Sequence, residues 1–266
     1  MTNQMAPWVP LLLQSLKNNP SPFTSLQFAT VSSGLPSVRT VVLRGFLFDD
    51  KATNVLTFNT DLRSAKLQHQ GPERHYEACF YFPGTQEQYR VRGQYLTLSL
   101  KGCESLDTAA TALLREHSVH HGSTHALPSP QQLQEEVQRQ WASLSRQNKA
   151  MYRRPAPGTA LTDATRAQLD RIQRGVDGAS PDAGLEHFGV VCLCVTAVDY
   201  LNLRGGSERT LFHHTREHRH RIRACHGHEQ ESDTASVDSA SCIDCDSDSE
   251  PQDEPLPMWH DTDVCP

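Results

Sequence analysis

Between Ser25 and Leu100 the chain repeats one pattern, short stretches of alternating apolar and polar residues separated by turn formers. "SLQFATVS" comes first, "SGLP" breaks it, and "SVRTVVLRGFLF" is a second, longer stretch. "DDKATN" makes the next turn before "NVLTFNT". "HYEACFYFP" and "EQYRVRGQYLTLSL" follow, joined by a tight "GTQ" turn. Only residues 64–70 suggest a helix, a short one halted by Gly71 and Pro72. Successive strands joined by short connections predict a small antiparallel barrel.

The middle of the chain changes period. Leu133, Val137, Trp141 and Leu144 mark one face of a helix expected from about Pro130 to Met151. "RRPAPG" ends it, and "LTDATRAQLDRIQRG" reads as a second, polar helix that Asp163 would cap. Trp8, Leu11, Leu12 and Leu16 give an N-terminal amphipathic helix. From His187 the strand pattern returns in "HFGVVCLCVTAVDYLNL" and "ERTLFHH", expected to close the barrel begun earlier. The fold class is thus mainly β with α insertions. The expected organisation is a barrel domain over 1–223 with a helical insertion at about 105–180, followed by 224–266 as an acidic disordered tail.

Composition supports that division. Hydrophobic content is 37% and mean hydropathy -0.55, low for a chain folded from end to end. The net charge of -6 conceals an asymmetry. Of the 31 acidic side chains, 12 lie between Glu229 and Asp263, and no Lys or Arg follows Arg223. The 25 basic side chains of the body therefore face only 19 acids. A mildly basic body suits a small anionic ligand. Nucleic acid is not expected, because no dense basic stripe exists beyond "HRHRIR". "PWVPLLLQSL" is too short for a membrane span and lacks the basic flank of a signal peptide, so a soluble, cytoplasmic chain is expected. Eight irregularly spaced cysteines read as free thiols.

Three segments place polar chemistry at strand ends. "RTVVLR", Arg39 to Arg44, brackets an apolar strand with guanidiniums. "FNTDLRSAK" supplies Thr60, Arg63, Ser64 and Lys66 where a strand stops. "TQEQYR" holds Gln88 just inside another strand. A phosphate is best held by charge-assisted donors, hydroxyls and a helix N-terminus. A flat aromatic ring wants apolar walls and an amide for its polar edge, which "VVL" and Gln88 offer. The bland alternative, cations solvated or paired with surface acids, is the commoner use of such residues. Arg39 and Arg44 also differ by an odd number, so a regular strand turns them to opposite faces. A bulge near Gly45, or a site shared between subunits, would reconcile them.

In that order, "FATVSSGLPSVRTVVLRGF", "LTFNTDLRSAK" and "CFYFPGTQEQYRVRG" resemble the FMN-binding split barrels related to pyridoxamine 5'-phosphate oxidase. The likeness is to the oxidase-like branch of cyanobacteria, fungi and plants. It implies a six-stranded antiparallel split barrel and a homodimer, with FMN in clefts at the subunit interface. By position it assigns Arg39, Thr40, Val41, Val42, Leu43 and Arg44 to a flavin-contacting strand. Asn59 and Thr60 close the next strand, and Ser64 and Lys66 fall in the phosphate turn. Gln88 reaches the flavin from the other subunit. A phosphate role for Arg63 extends that assignment, and Val42 and Leu43 are expected to line the ring.

The chain also departs from the true pyridoxamine phosphate oxidases. Their last strand carries a tryptophan and an Arg-x-His-x-Arg pattern serving flavin and substrate. Here Leu203 takes the tryptophan position, and "RTLFH", Arg209 to His213, keeps only the first arginine. The resemblance therefore implies an FMN-dependent oxidoreductase of unknown substrate, with a non-enzymatic flavin sensor or interaction module as the alternative. No metal site is expected. His117, His120, His121 and His125 fit no regular zinc spacing and read as a solvated loop, and Cys225, His226, His228, Cys242 and Cys245 fall in the Ser/Asp-rich run.

Overall fold

The structure is a computed structural model in which residues 5–68, 74–117, 127–205, 207–214 and 259–265 are described. Helix α1 (Trp8–Asn18) precedes β1 (Ser25–Ser32), β2 (Leu35–Phe46) and β3 (Val55–Asp61). A four-residue α2 (Ala65–Gln68) leads to β4 (His75–Phe82) and β5 (Glu87–Leu98). Helices α3 (Thr108–His117), α4 (Pro130–Ala142), α5 (Arg146–Met151) and α6 (Asp163–Gln173) come next. β6 (Phe188–Asn202), β7 (Glu208–His214) and β8 (Trp259–Val264) end the order.

All the strands pair antiparallel in the order β3-β2-β1-β4-β5-β6-β7-β8, and β3 also pairs with β6. That extra pairing closes β1–β6 into a six-stranded barrel. One long strand makes closure possible. On one edge, the first half of β6 pairs with β3 from Phe188 to Cys194, and its second half pairs with β7 from Ala197 to Asn202. β5 covers the opposite edge throughout. Between those halves the β5–β6 register shifts, between Arg92 and Gly93, where a Cβ on Gly93 would meet the Cys194 carbonyl oxygen at 1.9 Å. Only glycine fits there.

β6 is an almost unbroken apolar run because both its faces are covered. Val191, Leu193 and Val195 join the barrel core with Phe28, Phe58, Tyr76 and Tyr95. Phe28 meets Phe58 and Tyr95 edge-on at 5.0 and 5.4 Å. Val190, Cys192 and Cys194 instead face an outer layer built from Leu113, Leu133, Val137 and Trp141. The five cysteines among the described residues are free thiols.

Several sequence expectations are corrected. The helix expected over 130–151 is two helices, because Ser145 caps a fresh start by accepting from the Asn148 amide. Thr162, not Asp163, caps α6. Arg115 to His117 end α3, and His117 is buried at that end. His120, His121 and His125 and the Cys/His residues of 225–245 lie outside the described residues. Within the stretch expected to be disordered, 259–264 form β8, in register with β7. Trp259 anchors it, 5.4 Å from His214 and 6.3 Å from Trp8, so one buried indole offsets an acidic strand. Among the described residues no helix is long and apolar enough to cross a membrane.

Candidate cofactor site

Strand alternation sends Leu56, Phe58 and Thr60 of β3 into the barrel and Thr57, Asn59 and Asp61 outward. The chain then turns sharply. Asp61 accepts from the amides of Arg63 and Ser64, through Oδ1 and its carbonyl, and α2 begins. This turn brings Lys66 back over the strand end. Its Nζ donates to Thr60 Oγ1 at 2.8 Å and Ser64 Oγ at 2.7 Å. Both hydroxyl residues are buried. At four residues α2 is too short to add much dipole, so the side chains carry the electrostatics.

Arg39 comes to the same place from β2. It lies opposite Phe28, with its guanidinium 5.6 Å above that ring. One nitrogen donates to the carbonyls of Phe28 and Ser37 and to Thr30 Oγ1, at 3.2, 3.1 and 2.9 Å. Burial first, and then the charge of Arg39, holds the Lys66 ammonium below its ordinary range; Asp61 opposes them. Burial likewise lowers Arg39. Neither cation has an ion pair among the described residues. Two half-buried positive charges facing hydroxyls are costly unless an anion joins them.

Arg63 does something else. Its guanidinium forks onto Asp61 at 2.9 and 2.7 Å and donates to the carbonyls of Tyr152 and Arg154 at 3.2 and 3.0 Å. The Asp61 hydrogen bond raises its pKa further. The expected phosphate ligand is thus a clamp between the turn and the end of α5. A neighbouring bond, Leu62 amide to His187 carbonyl at 2.8 Å, braces the turn from behind. On that side a cleft of about 500 Å³ opens between α6 and residues 177–187.

Arg44 is the extra residue of a β-bulge. Leu43 pairs with Phe58 and Gly45 with Thr57, and Gly45 has φ +105°. The bulge does not bring Arg44 to the face of Arg39. It returns Phe46 to the barrel core, while Arg44 stays outside, exposed, with its charge acting on Tyr152. Burial raises the Tyr152 phenol to about 12 despite that cation. Val41 and Leu43 pack against the barrel core, so Val42 and Leu43 cannot both line one ring. Thr40 is exposed and Val42 half-buried.

Asn59 holds both amide atoms buried with no hydrogen-bond partner among the described residues. Gln88 is on another wall, separated from β2 by β1 and β4, and registered against Tyr81 and Leu201. Sequence reading missed Thr30, Tyr152 and the partner of Arg63. The last had a signal, since an Asp two residues before an Arg in a turn invites an Asx turn and an ion pair.

The closed six-stranded barrel with a cationic, hydroxyl-lined strand end is the split-barrel architecture of flavin-binding domains. The sequence model of the family "Pyridoxamine 5'-phosphate oxidase, FMN-binding domain" matches residues 5–99, which include Arg39 to Arg44, Lys66 and Gln88. An uncharacterized protein of Saccharomyces cerevisiae is 42% identical over 282 residues, spanning 81% of this chain and 95% of its own. Pyridoxine/pyridoxamine 5'-phosphate oxidase 2 of Arabidopsis thaliana is 28% identical, spanning 77% and 87%. A pyridoxamine 5'-phosphate oxidase-related, FMN binding protein of Nostoc punctiforme superposes with TM-score 0.62 at 26% identity, over 99% of each chain. PhzG of Burkholderia lata shares the fold, with TM-score 0.58 at 14% identity over 100% and 99% of the two chains. The chain belongs to the pyridoxamine 5'-phosphate oxidase-like family of FMN-binding split barrels.

Proposed function

We propose that this protein is an FMN-dependent oxidoreductase whose cofactor phosphate is held by Lys66, Ser64, Thr60 and Arg39. The observation that carries the reading is the pair of half-buried cations, neither of them ion-paired among the described residues. A phosphate dianion would remove their repulsion and accept from Lys66, Ser64 and Arg39. Bound FMN supplies acceptance of hydride or electrons. The chain supplies position and electrostatics. Thr40 to Arg44 offer the strand against which the ring lies, and Arg44 places a positive charge near its polar edge, favouring the anionic reduced form.

The homodimer of this reading has a surface to form on. Val31, Leu35, Val38 and Tyr81 are 59%, 71%, 69% and 52% exposed on β1, β2 and β4, and Gln88 is the register partner of Tyr81. Large apolar side chains left exposed on neighbouring strands are what an interface would cover. Gln88 on that face would reach the partner's cofactor. Val38→Glu is expected to convert a dimer to monomers in light scattering, and an unchanged mass counts against the interface.

The substrate is not assigned to vitamin B6. The guanidinium of Arg209, the surviving arginine of the family pattern, is forked onto Asp199 at 3.0 and 2.9 Å, and Arg90 pairs with the same carboxylate. An internal acid thus fills that fork. The experiment is to purify the chain, add FMN, and identify bound cofactor by absorbance and mass spectrometry. The bound flavin is then offered NAD(P)H and candidate substrates. Protein that stays colourless with added FMN defeats the reading, and flavin that is bound but never reduced favours a sensor.

A further inference from the structure

Beneath α4 a buried polar chain runs from the surface to the bulge of β2. Arg139 forks onto Glu136 at 2.7 and 2.8 Å. Glu136 is 2% exposed and accepts from Gln140 Nε2 at 2.8 Å. The same amide donates to Thr57 Oγ1 at 3.3 Å, and Thr57 donates to the Gly45 carbonyl at 3.3 Å. Thr57 and Gln140 are also buried. A carboxylate, an amide and a hydroxyl inside an otherwise apolar layer are costly where leucine or valine would pack. Their common end is the carbonyl of Gly45, the residue after Arg44, at the point where the β2–β3 register shifts.

We infer that Thr57, Gln140 and Glu136 are positioning residues that fix the Arg44–Gly45 bulge and so aim Arg44 and its backbone at the flavin. The inference rests on the reading above, that FMN lies along β2. A bulge has softer alternatives than a regular ladder, including a one-residue slip that would turn Arg44 toward the barrel core. The hydroxyl on Gly45 selects one of them, and the amide and carboxylate behind it orient that hydroxyl. Arg139, whose charge also feels Asp49 of the β2–β3 turn, anchors the far end.

Thr57→Val keeps shape and removes the hydroxyl; Thr57→Ser keeps the hydroxyl. Both are compared with wild type in FMN affinity, the visible spectrum of bound flavin and melting temperature. The expected result is an affinity about tenfold weaker and a shifted flavin band in Thr57→Val, near-normal behaviour in Thr57→Ser, and little change in melting. Adding Thr57→Val to Arg44→Ala should cost no more than about twofold further, because both act through one group. Wild-type affinity and spectrum in Thr57→Val, or full additivity with Arg44→Ala, overturns the inference. If Thr57→Val does not fold, isosteric Glu136→Gln applies the same readouts from the far end: a shifted band supports the relay and an unshifted one overturns it. Wild-type protein that binds no FMN overturns the cofactor reading itself.

Discussion

Lys66 and Arg63 are three positions apart in one turn and have opposite fates. Arg63, on the outer side, meets Asp61 and two carbonyls, and its charge is consumed in joining the turn to the end of α5. Lys66, on the inner side, meets two hydroxyls and the repulsion of Arg39. Counting cations in a turn therefore does not identify a phosphate site. In the proposed reading the site is marked instead by the cation that forms no ion pair among the described residues, and strand alternation at Thr60 and Asp61 decides which one that is.

The comparison can be broken by mutation. The largest effect is expected from Lys66→Ala with Ser64→Ala, which should weaken FMN binding by about 2–4 kcal/mol in a fluorescence titration. Arg63→Ala should do the reverse. Stability falls by about 1–3 kcal/mol in urea unfolding, as an ion pair and two carbonyl contacts go, while FMN affinity changes by less than about fivefold. Loss of affinity in Arg63→Ala without loss of stability would erase the distinction. Asn59→Leu should raise the stability of cofactor-free protein by about 1 kcal/mol, since it removes a buried amide without a partner.

The smallest effect is in pH. Between the lowered value of Lys66 and its ordinary 10.5, the unfolded chain holds a proton that the folded protein has released. Cofactor-free stability should therefore rise with pH across that window, while FMN affinity falls as the ammonium is lost. Lys66→Met should flatten both trends, and trends that persist in it exclude Lys66 as their source.

The barrel was legible because period-2 alternation is written into each early strand and because β6 is apolar on both faces. Lys66, Ser64 and Thr60 were legible as a group, since their spacing across a turn brings them together. Three features were not. The break at Ser143–Ser145 hides in a continuous apolar face, because Leu144 within it packs into the same outer layer as Leu133, Val137 and Trp141 of α4. β8 carries acids at alternate positions and owes its order to pairing with β7 and to Trp259, a non-local cause. The direction of Arg44 depends on whether the bulge re-aims Arg44 itself or the residue after it, and local sequence does not specify that.

The most direct test of the central claim is the phosphorus resonance of bound FMN in wild-type protein, Lys66→Ala and Arg63→Ala. A dianion held against Lys66 should give a bound signal displaced from free FMN, moved again by Lys66→Ala and left in place by Arg63→Ala. A bound resonance indifferent to Lys66, or one that follows Arg63, would place the phosphate elsewhere and contradict the account.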